Sequence, residues 1–290
     1  MKRRDLVGLL FCAPWLLGFL AFMLLPMGAA LYYSFCDYSI VQAPVFIGLA
    51  NYRELFADAL FWRSLYNTLY FAAGAVLLGL LTSLVLALLL NCRVRGLAFY
   101  RTVFFLPSLM PVVAGSILWM WMYAGDGGII NTALEAVGIS GPAWLADPRF
   151  AKAALILMSA WGAGQAMVIL LAGLQDIPAA LYEAAVIDGA GWWQRLRHVT
   201  VPLITPVILF NLVMGLIVSL QVFTQAFIMT GASGAPERAT LFYVLRLYNV
   251  AFRDLRMGYG CAMAWILFLI ILGLTALLIR FSGKWVQYER

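Results

Sequence analysis

The stretch LYEAAVIDGAGWWQRLRHVTVPL, residues 181–203, interrupts a chain that is otherwise strongly apolar. It holds Glu183, Asp188, Arg195, Arg197 and His198, the only histidine in the chain. Pro178 just ahead of it suits a first helical turn, where a missing N–H leaves nothing unpaired. Asp176 stands where a side chain accepts hydrogen bonds from the free N–H groups of a helix start. The spacing predicts a short helix over 178–188, PAALYEAAVID, closed by Gly189 in a left-handed conformation. A second short helix, WWQRLRH, is expected after Gly189-Ala190-Gly191, with Pro202 and Pro206 ending it and restarting the chain. Helix–helix links in bundles run to about 2–8 residues, and the segment 175–206 far exceeds that. An amphipathic segment lying among lipid headgroups accounts for Trp192, Trp193, Arg195 and Arg197. It does not account for carboxylates beside the small residues Ala184 and Ala185, because anionic lipid repels them.

The rest of the chain reads as membrane. It is 64% hydrophobic and 11% charged, with a mean hydropathy of +0.94, against about 25% charged residues in ordinary soluble domains. A helix needs about 20 apolar residues to cross the hydrocarbon core. Six windows qualify, 6–31, 65–90, 103–123, 153–174, 207–230 and 257–279, and none contains Asp, Glu, Lys or Arg. The start, MKRRDLVGLLFCAPWLLGFL, has the basic opening and apolar run of a signal peptide. Phe11 is too large to precede a processed Cys12, and the apolar run continues beyond residue 25, so an uncleaved first span is expected. The four cysteines show no metal-binding or disulfide spacing. The net charge of +6 forms no dense basic run, so nucleic acid is not expected as a partner, and lipid is.

Orientation follows from Lys and Arg. With the N-terminus inside, the inner segments 1–5, 91–102, 175–206 and 280–290 hold Lys2, Arg3, Arg4, Arg93, Arg95, Arg101, Arg195, Arg197, Arg280, Lys284 and Arg290, the majority of the 19 basic residues. That is the sign of the positive-inside rule, with both termini cytoplasmic. Trp62, Trp119, Trp121, Tyr123 and Tyr259 then form an outer aromatic belt. Pro14, Pro26, Pro107, Pro111, Gly162 and Gly164 break several spans, which neighbouring helices can compensate. The outer connections 32–64, 124–152 and 231–256 are expected to carry short helices on the membrane surface. The whole chain, 1–290, is expected to be a single transmembrane domain.

No G-x-x-x-x-G-K-[ST] loop is present, since Gly283-Lys284 is followed by Trp285, so ATP is not bound by that device. No H-E-x-x-H motif occurs, and no cofactor, metal or catalytic constellation is expected. A secondary carrier coupled to protons or sodium is the rival class. Such carriers place ionisable groups at mid-membrane, and the six windows hold none.

The 181–203 stretch also carries a resemblance. Glu183-Ala184-Ala185, Asp188-Gly189-Ala190 and Val201-Pro202 match the E-A-A…D-G-A…L-P signature of membrane subunits of binding-protein-dependent ABC importers. Leu196 and Val199 stand where many members have Phe and Ile, and both keep an apolar contact. Phe46-Ile47-Gly48-Leu49, Asn51-Tyr52, Phe61-Trp62, Asn67-Thr68 and Ala172-Gly173-Leu174-Gln175 resemble carbohydrate-uptake permeases, and in particular the first permease of maltose- and glycerol-3-phosphate-type systems. Relative to the maltose subunit there is no room for a large periplasmic insertion or two extra N-terminal spans. The resemblance implies an all-α, six-span type I importer permease in a bacterial or archaeal cytoplasmic membrane. It implies no enzymatic activity of its own. The implied partners are a second related permease, two ATPase subunits and an extracytoplasmic solute-binding protein. Glu183, Ala184, Ala185, Asp188, Gly189 and Ala190 would then belong to a coupling helix that docks on the ATPase. Glu183 has a second role open to it, bonding to its own loop and holding the two short helices at their angle.

Polar, uncharged side chains within the windows mark a substrate path for a sugar or oligosaccharide. Gln165 stands with Gly162 and Gly164 one turn past Trp161, and span five offers Ser219, Gln221, Thr224 and Gln225. Gln221, Thr224 and Gln225 at i, i+3 and i+4 would share one face of a continuous helix. Polar side chains in membrane helices also serve as interhelical hydrogen bonds. The resemblance aligns Gln165, Gly162 and Ser219 with sugar-contacting positions. The windows hold no cation to meet a phosphate, which favours a neutral solute.

Overall fold

The computed structural model describes residues 3–92 and 95–286, with the side chains of 3–10 left aside. Lys2, Arg93 and Arg290, which enter the charge count, lie outside the described residues. The helices are α1 (Arg3–Phe19), α2 (Leu25–Ser34), α3 (Ala50–Ala57), α4 (Ala59–Leu90), α5 (Leu97–Phe105), α6 (Val112–Met122), α7 (Ile129–Ala136), α8 (Pro148–Trp161), α9 (Gly164–Gln175), α10 (Ala179–Ile187), α11 (Trp192–Arg195), α12 (Val201–Leu203), α13 (Thr205–Leu220), α14 (Thr224–Thr230), α15 (Tyr243–Tyr248) and α16 (Met257–Ser282). A hairpin, β1 (Cys36–Ser39) with β2 (Gln42–Phe46), follows α2.

Three stretches, Phe11–Ser34, Ala59–Leu90 and Met257–Ser282, are each long and apolar enough to cross a membrane. Three bent pairs meet the same test: Leu97–Leu109 with Val112–Met122 at 99°, Pro148–Trp161 with Gly164–Gln175 at 47°, and Trp192–Leu203 with Thr205–Leu220 at 63°. Counted one span each, they make the expected six. The helices overrun the windows, so α4 takes in Arg63 and α8 takes in Arg149 and Lys152.

The bends have local causes. Met110, held before Pro111, is extended at ψ 132°, and the chain turns there because a residue before proline avoids helical geometry. At the 162–163 break the buried Ser83 hydroxyl of α4 reaches the Ala163 carbonyl at 3.2 Å while also bonding its own Gly79 carbonyl. The Ala163 carbonyl also accepts from the Met167 N–H at 2.9 Å, so the serine adds a second bond that ties α4 to the break. Asp147 caps α8 by accepting from the Arg149 N–H at 2.8 Å, with Pro148 behind it.

The chain divides into two compact units. One comprises residues up to Trp62 with Arg246–Leu269. Its hairpin pairs Cys36 with Phe46, Asp37 with Val45 and Ser39 with Gln42, and it precedes a short helix, α3, of the kind expected in this connection. The Asn51 amide donates 2.9 Å bonds to the Ser34 and Cys36 carbonyls and so ties α3 to the hairpin. Asp58 accepts from Arg246 and from Tyr259, each at 3.2 Å. Arg256 grips Glu54 through two bonds of 2.7 and 2.6 Å and holds its carboxyl below the usual carboxylate range.

The other unit comprises Arg63–Leu245 and the chain from Ile270. Ala87, Leu90, Met167, Leu170, Leu171, Leu174 and Ile204 form a buried cluster where α4, α9 and the α12–α13 junction meet. This cluster fixes both ends of the 175–206 segment. The expected aromatic belt is corrected here: Trp119 and Tyr123, like Tyr259 of the first unit, are buried within the chain, whereas Trp62 and Trp121 stay exposed. Trp119 packs edge-to-face on Trp161, and the Tyr123 hydroxyl donates to the Ala154 carbonyl at 2.8 Å. The buried Tyr123 phenol gains a carbonyl partner there, whereas Trp119 is held by ring packing alone, its buried Nε1 having no hydrogen-bond partner among the described residues.

A Cβ on Gly164 would lie 2.6 Å from the Phe104 oxygen and 2.9 Å from the Phe105 Cα, whereas one on Gly162 would lie 3.6 Å from its nearest neighbour, the Ser159 oxygen. Gly164→Ala is expected to lower stability by about 1–3 kcal/mol as backbone moves apart, with Gly162→Ala close to wild type. Thermal unfolding of the two variants in the same detergent checks the difference.

Candidate functional site: a central cavity and a protruding helical unit

The second unit contains a partly open cavity of about 690 Å³. Gln165 and Gly162 come to it from the α8–α9 break, and Ser219, Gln221, Thr224 and Gln225 come from the end of α13 and the start of α14. All six residues expected on a substrate path therefore meet at one space. The reason differs from the one expected. α13 stops at Leu220, Gln221 is its C-cap at φ −103° and ψ 17°, and α14 begins only at Thr224. The three polar groups do not share a continuous helical face; a break in the helix turns them to the cavity. Gln221 also bonds its own helix, donating to the Ile217 carbonyl at 3.1 Å.

The lining adds residues that sequence reasoning passed over. Asn211, nearly buried, donates to the Val207 carbonyl at 2.9 Å and lines the cavity. It was visible as a lone amide in the apolar run of span five. Ser108 and Ser159 line the cavity too, with Phe71, Trp161, Phe210 and Phe223 as aromatic surface. Phe210 and Phe223 gave no signal, because a phenylalanine in a membrane helix is unremarkable until its neighbours are known. No charged side chain lines this cavity among the described residues. Rings, amides and hydroxyls together suit a neutral polyhydroxylated molecule, which offers its own donors and acceptors.

The 175–206 segment forms two short helical pieces joined at a glycine turn. α10 runs Ala179–Ile187 with Pro178 as N-cap, and no side chain caps it. Asp176 instead ends α9, so its expected capping role is not found. At the other end the turn is as expected. Gly189 has φ 75°, its N–H bonds Val186 O at 3.0 Å, and Ala190 N–H bonds Ala185 O at 2.9 Å. These two bonds make a Schellman closure. The second piece does not stop at Pro202. α11, a π-helical stretch Leu196–Thr200 and α12 run on to Leu203. The wider turn relieves the demand a proline makes on the carbonyl four residues back.

Glu183 is exposed, and neither its carboxylate nor that of Asp188 has a hydrogen-bond or ion-pair partner among the described residues. The angle between the two pieces is set by a neighbour instead. The Tyr182 hydroxyl lies 3.0 Å from that of buried Thr200, which also bonds the Arg195 carbonyl at 3.3 Å. Tyr182 was passed over because a single tyrosine beside an acidic motif gives no sign of its partner 18 residues on. Ala185, Asp188, Gly189 and Ala190 line a shallow depression of about 260 Å³ with Arg195 and His198. Ala184 is exposed beside it. Ile187 at 85% and Trp193 at 73% exposure flank it. Large apolar groups around carboxylates and small residues are the composition of a protein-docking surface.

Residues 75–287 match the family of binding-protein-dependent transport system inner membrane components. The chain belongs to that family: it is a permease subunit of an ABC importer, an inner-membrane protein whose ATPase is a separate subunit. This takes the place of the secondary-carrier alternative. The chain is 41% identical to the probable ABC transporter permease protein YesP of Bacillus subtilis, covering 100% of this chain and 94% of that protein. It is 35% identical to the lactose transport system permease protein LacF of Rhizobium radiobacter, over 96% and 94% of the two chains. It is 32% identical to the trehalose/maltose transport system permease protein MalF of Thermococcus litoralis, again over 96% and 94%. The fold matches a crystal structure of a bacterial ABC transporter involved in the import of the acidic polysaccharide alginate, with a TM-score of 0.85, 24% identity and 98% coverage of both chains.

Tyr182→Phe removes a hydrogen bond worth about 0.5–1.5 kcal/mol. Amide hydrogen exchange over 179–187 is expected to quicken in this variant and to stay at the wild-type rate in Glu183→Gln. Exchange followed by mass spectrometry separates the two.

Proposed function

We propose that this chain forms half of the translocation pathway for a neutral sugar or oligosaccharide and couples it to a separate ATPase through residues 178–198. The observation that carries the substrate class is the lining of the central cavity, with amides of Gln165, Asn211 and Gln225, the Ser219 and Thr224 hydroxyls and the Trp161 ring, and no charge. Its volume of about 690 Å³ falls within the roughly 300–1,000 Å³ of small-molecule sites. The names of the lactose and trehalose/maltose relatives support the same class.

The partners in this reading are a second related permease, two ATPase subunits and an extracytoplasmic solute-binding protein. Both termini and the 175–206 segment lie on the cytoplasmic side. Closure of the ATPase pair moves α10 and the piece after Gly189 as one lever, because the Tyr182–Thr200 bond joins them. Glu183 and Asp188, unpartnered among the described residues, with Ala184, Ala185, Gly189 and Ala190, meet the ATPase. The spans then rock between outward-open and inward-open states around the cavity. The permease performs no chemistry itself.

Two measurements test this. When tagged chain is purified in mild detergent from its native membranes, an ATPase and a second permease are expected with wild type, and the ATPase alone is expected to be lost with Glu183→Lys. Wild type arriving without any ATPase overturns the coupling. For the path, Gln165→Ala and Asn211→Ala are each expected to lower uptake of a labelled neutral oligosaccharide about tenfold, the loss of one or two substrate hydrogen bonds, while the complex stays assembled. Unchanged uptake in both variants removes the cavity from the path.

A further inference from the structure

Beyond the transport path, the second unit holds a cation that forms no ion pair among the described residues. Lys152 stands one turn inside α8, at the end of that span opposite the 175–206 segment. Its ammonium donates to the Asn67 side-chain oxygen at 3.1 Å and lies 5.1 Å from the Tyr66 ring centre and 4.8 Å from that of Tyr70. Asn67 is itself buried and locked, its amide donating to the Arg238 and Leu241 carbonyls at 3.0 and 3.2 Å. One turn before Asn67, the Arg63 guanidinium donates to the Glu237 carbonyl. Neither Lys152 nor Arg63 forms an ion pair among the described residues. Two basic groups thus share one corner of the second unit, and neither is ion-paired among the described residues.

An ammonium has three donors. One is spent on Asn67, and the two rings hold the group by cation–π attraction without consuming the others. Both rings are open to the outside, Tyr66 at 62% and Tyr70 at 49% exposure. The same face of α4 continues as Leu77, Leu81, Val85 and Leu89, all exposed and all apolar. A basic group framed by tyrosines at one end of a long apolar stripe has the layout of a bilayer, with headgroup level above and acyl chains below.

We propose that Lys152, framed by Tyr66 and Tyr70 and positioned by Asn67, binds the phosphate of an anionic phospholipid whose acyl chains lie along the exposed stripe of α4. The phosphate oxygens take the free ammonium donors as charge-assisted bonds, and the lipid supplies the counter-charge that Lys152 does not find among the described residues. Net negative lipid is preferred over zwitterionic lipid, because Arg63 adds a second positive charge nearby.

The test is lipid retention by the assembled transporter, read by native mass spectrometry after titration with phosphatidylglycerol or phosphatidylcholine. Wild type is expected to hold phosphatidylglycerol more tightly than phosphatidylcholine. Lys152→Gln is expected to weaken phosphatidylglycerol about fivefold, the effect of one basic group near a membrane surface, while Lys152→Arg keeps most of the affinity. Should Lys152→Gln fail to purify as a monodisperse complex, the doubly substituted Tyr66→Leu/Tyr70→Leu chain decides by the same measurement, since it leaves the charge but removes its frame. Equal retention of the two lipids by wild type overturns the proposal, as does retention unchanged by these substitutions. So does loss of the second permease from Lys152→Gln with lipid binding intact, which would assign the cation to a carboxylate on a protein partner.

Discussion

Backbone that leaves a helix inside a bilayer finds no water to bond, so every interruption of a span has to bring its own partner. This chain interrupts its spans repeatedly, and its architecture follows from how those interruptions are satisfied. At the α8–α9 break the N–H groups of Gly162 and Ala163 turn back to the Ser159 and Ala160 carbonyls, and a serine on the neighbouring α4 adds a bond to the Ala163 carbonyl. Glycine at 164 lets α5 come close enough to pack there. At the α12–α13 break the Thr205 hydroxyl turns back to the Pro202 carbonyl at 2.6 Å. The same breaks are what open space at the centre. A bundle of six unbroken apolar helices packs solid, whereas helices that stop short turn their end groups inward. The cavity is therefore a product of the interruptions, and its polar lining is largely drawn from residues at or beside them.

The protruding segment obeys a different constraint. It must hold its shape without a hydrophobic core of its own, because both faces of α10 are largely exposed. Rigidity comes from two local devices, the closure over Gly189 and the Tyr182–Thr200 contact, and from anchoring of both ends in the Leu174–Ile204 cluster. That arrangement leaves the carboxylates and apolar side chains of the tip free of internal obligations. In the proposed coupling role, a segment that transmits force between subunits benefits from this separation of framework and contact surface.

Much of this was legible in the residues, for reasons that differ from place to place. Apolar windows of about 20 residues carry the span count because the solvent imposes a length. Gly189 announced its left-handed turn, and Pro111 its bend, because each restricts the backbone by its own covalent structure. What stayed hidden depended on partners distant in sequence. Gln221-Val222-Phe223 contains neither glycine nor proline, so the halt of α13 could not be read, and the polar trio was placed on a helix face that does not exist. The hairpin turns through Ile40-Val41, a pair without the Asn or Gly that marks a tight turn. Trp119 and Tyr123 look like interfacial anchors until Trp161 and the Ala154 carbonyl are seen beside them. Lys152 fell one residue outside a window defined by the absence of charge.

The uncharged lining of the central cavity has one more consequence. A transporter that opens its pathway alternately to either side holds a water-accessible chamber within an energised membrane. Carboxylates or histidines in that chamber would offer protons successive resting places, and the electrochemical gradient would leak through each cycle. Amides and hydroxyls do not take up and release protons at physiological pH, so in the proposed path a lining of Gln165, Asn211, Ser219 and Gln225, with no charged side chain among the described residues, gives protons no resting place. In the proposed transport role, an uncharged lining of this kind leaves the work of pumping to the separate ATPase.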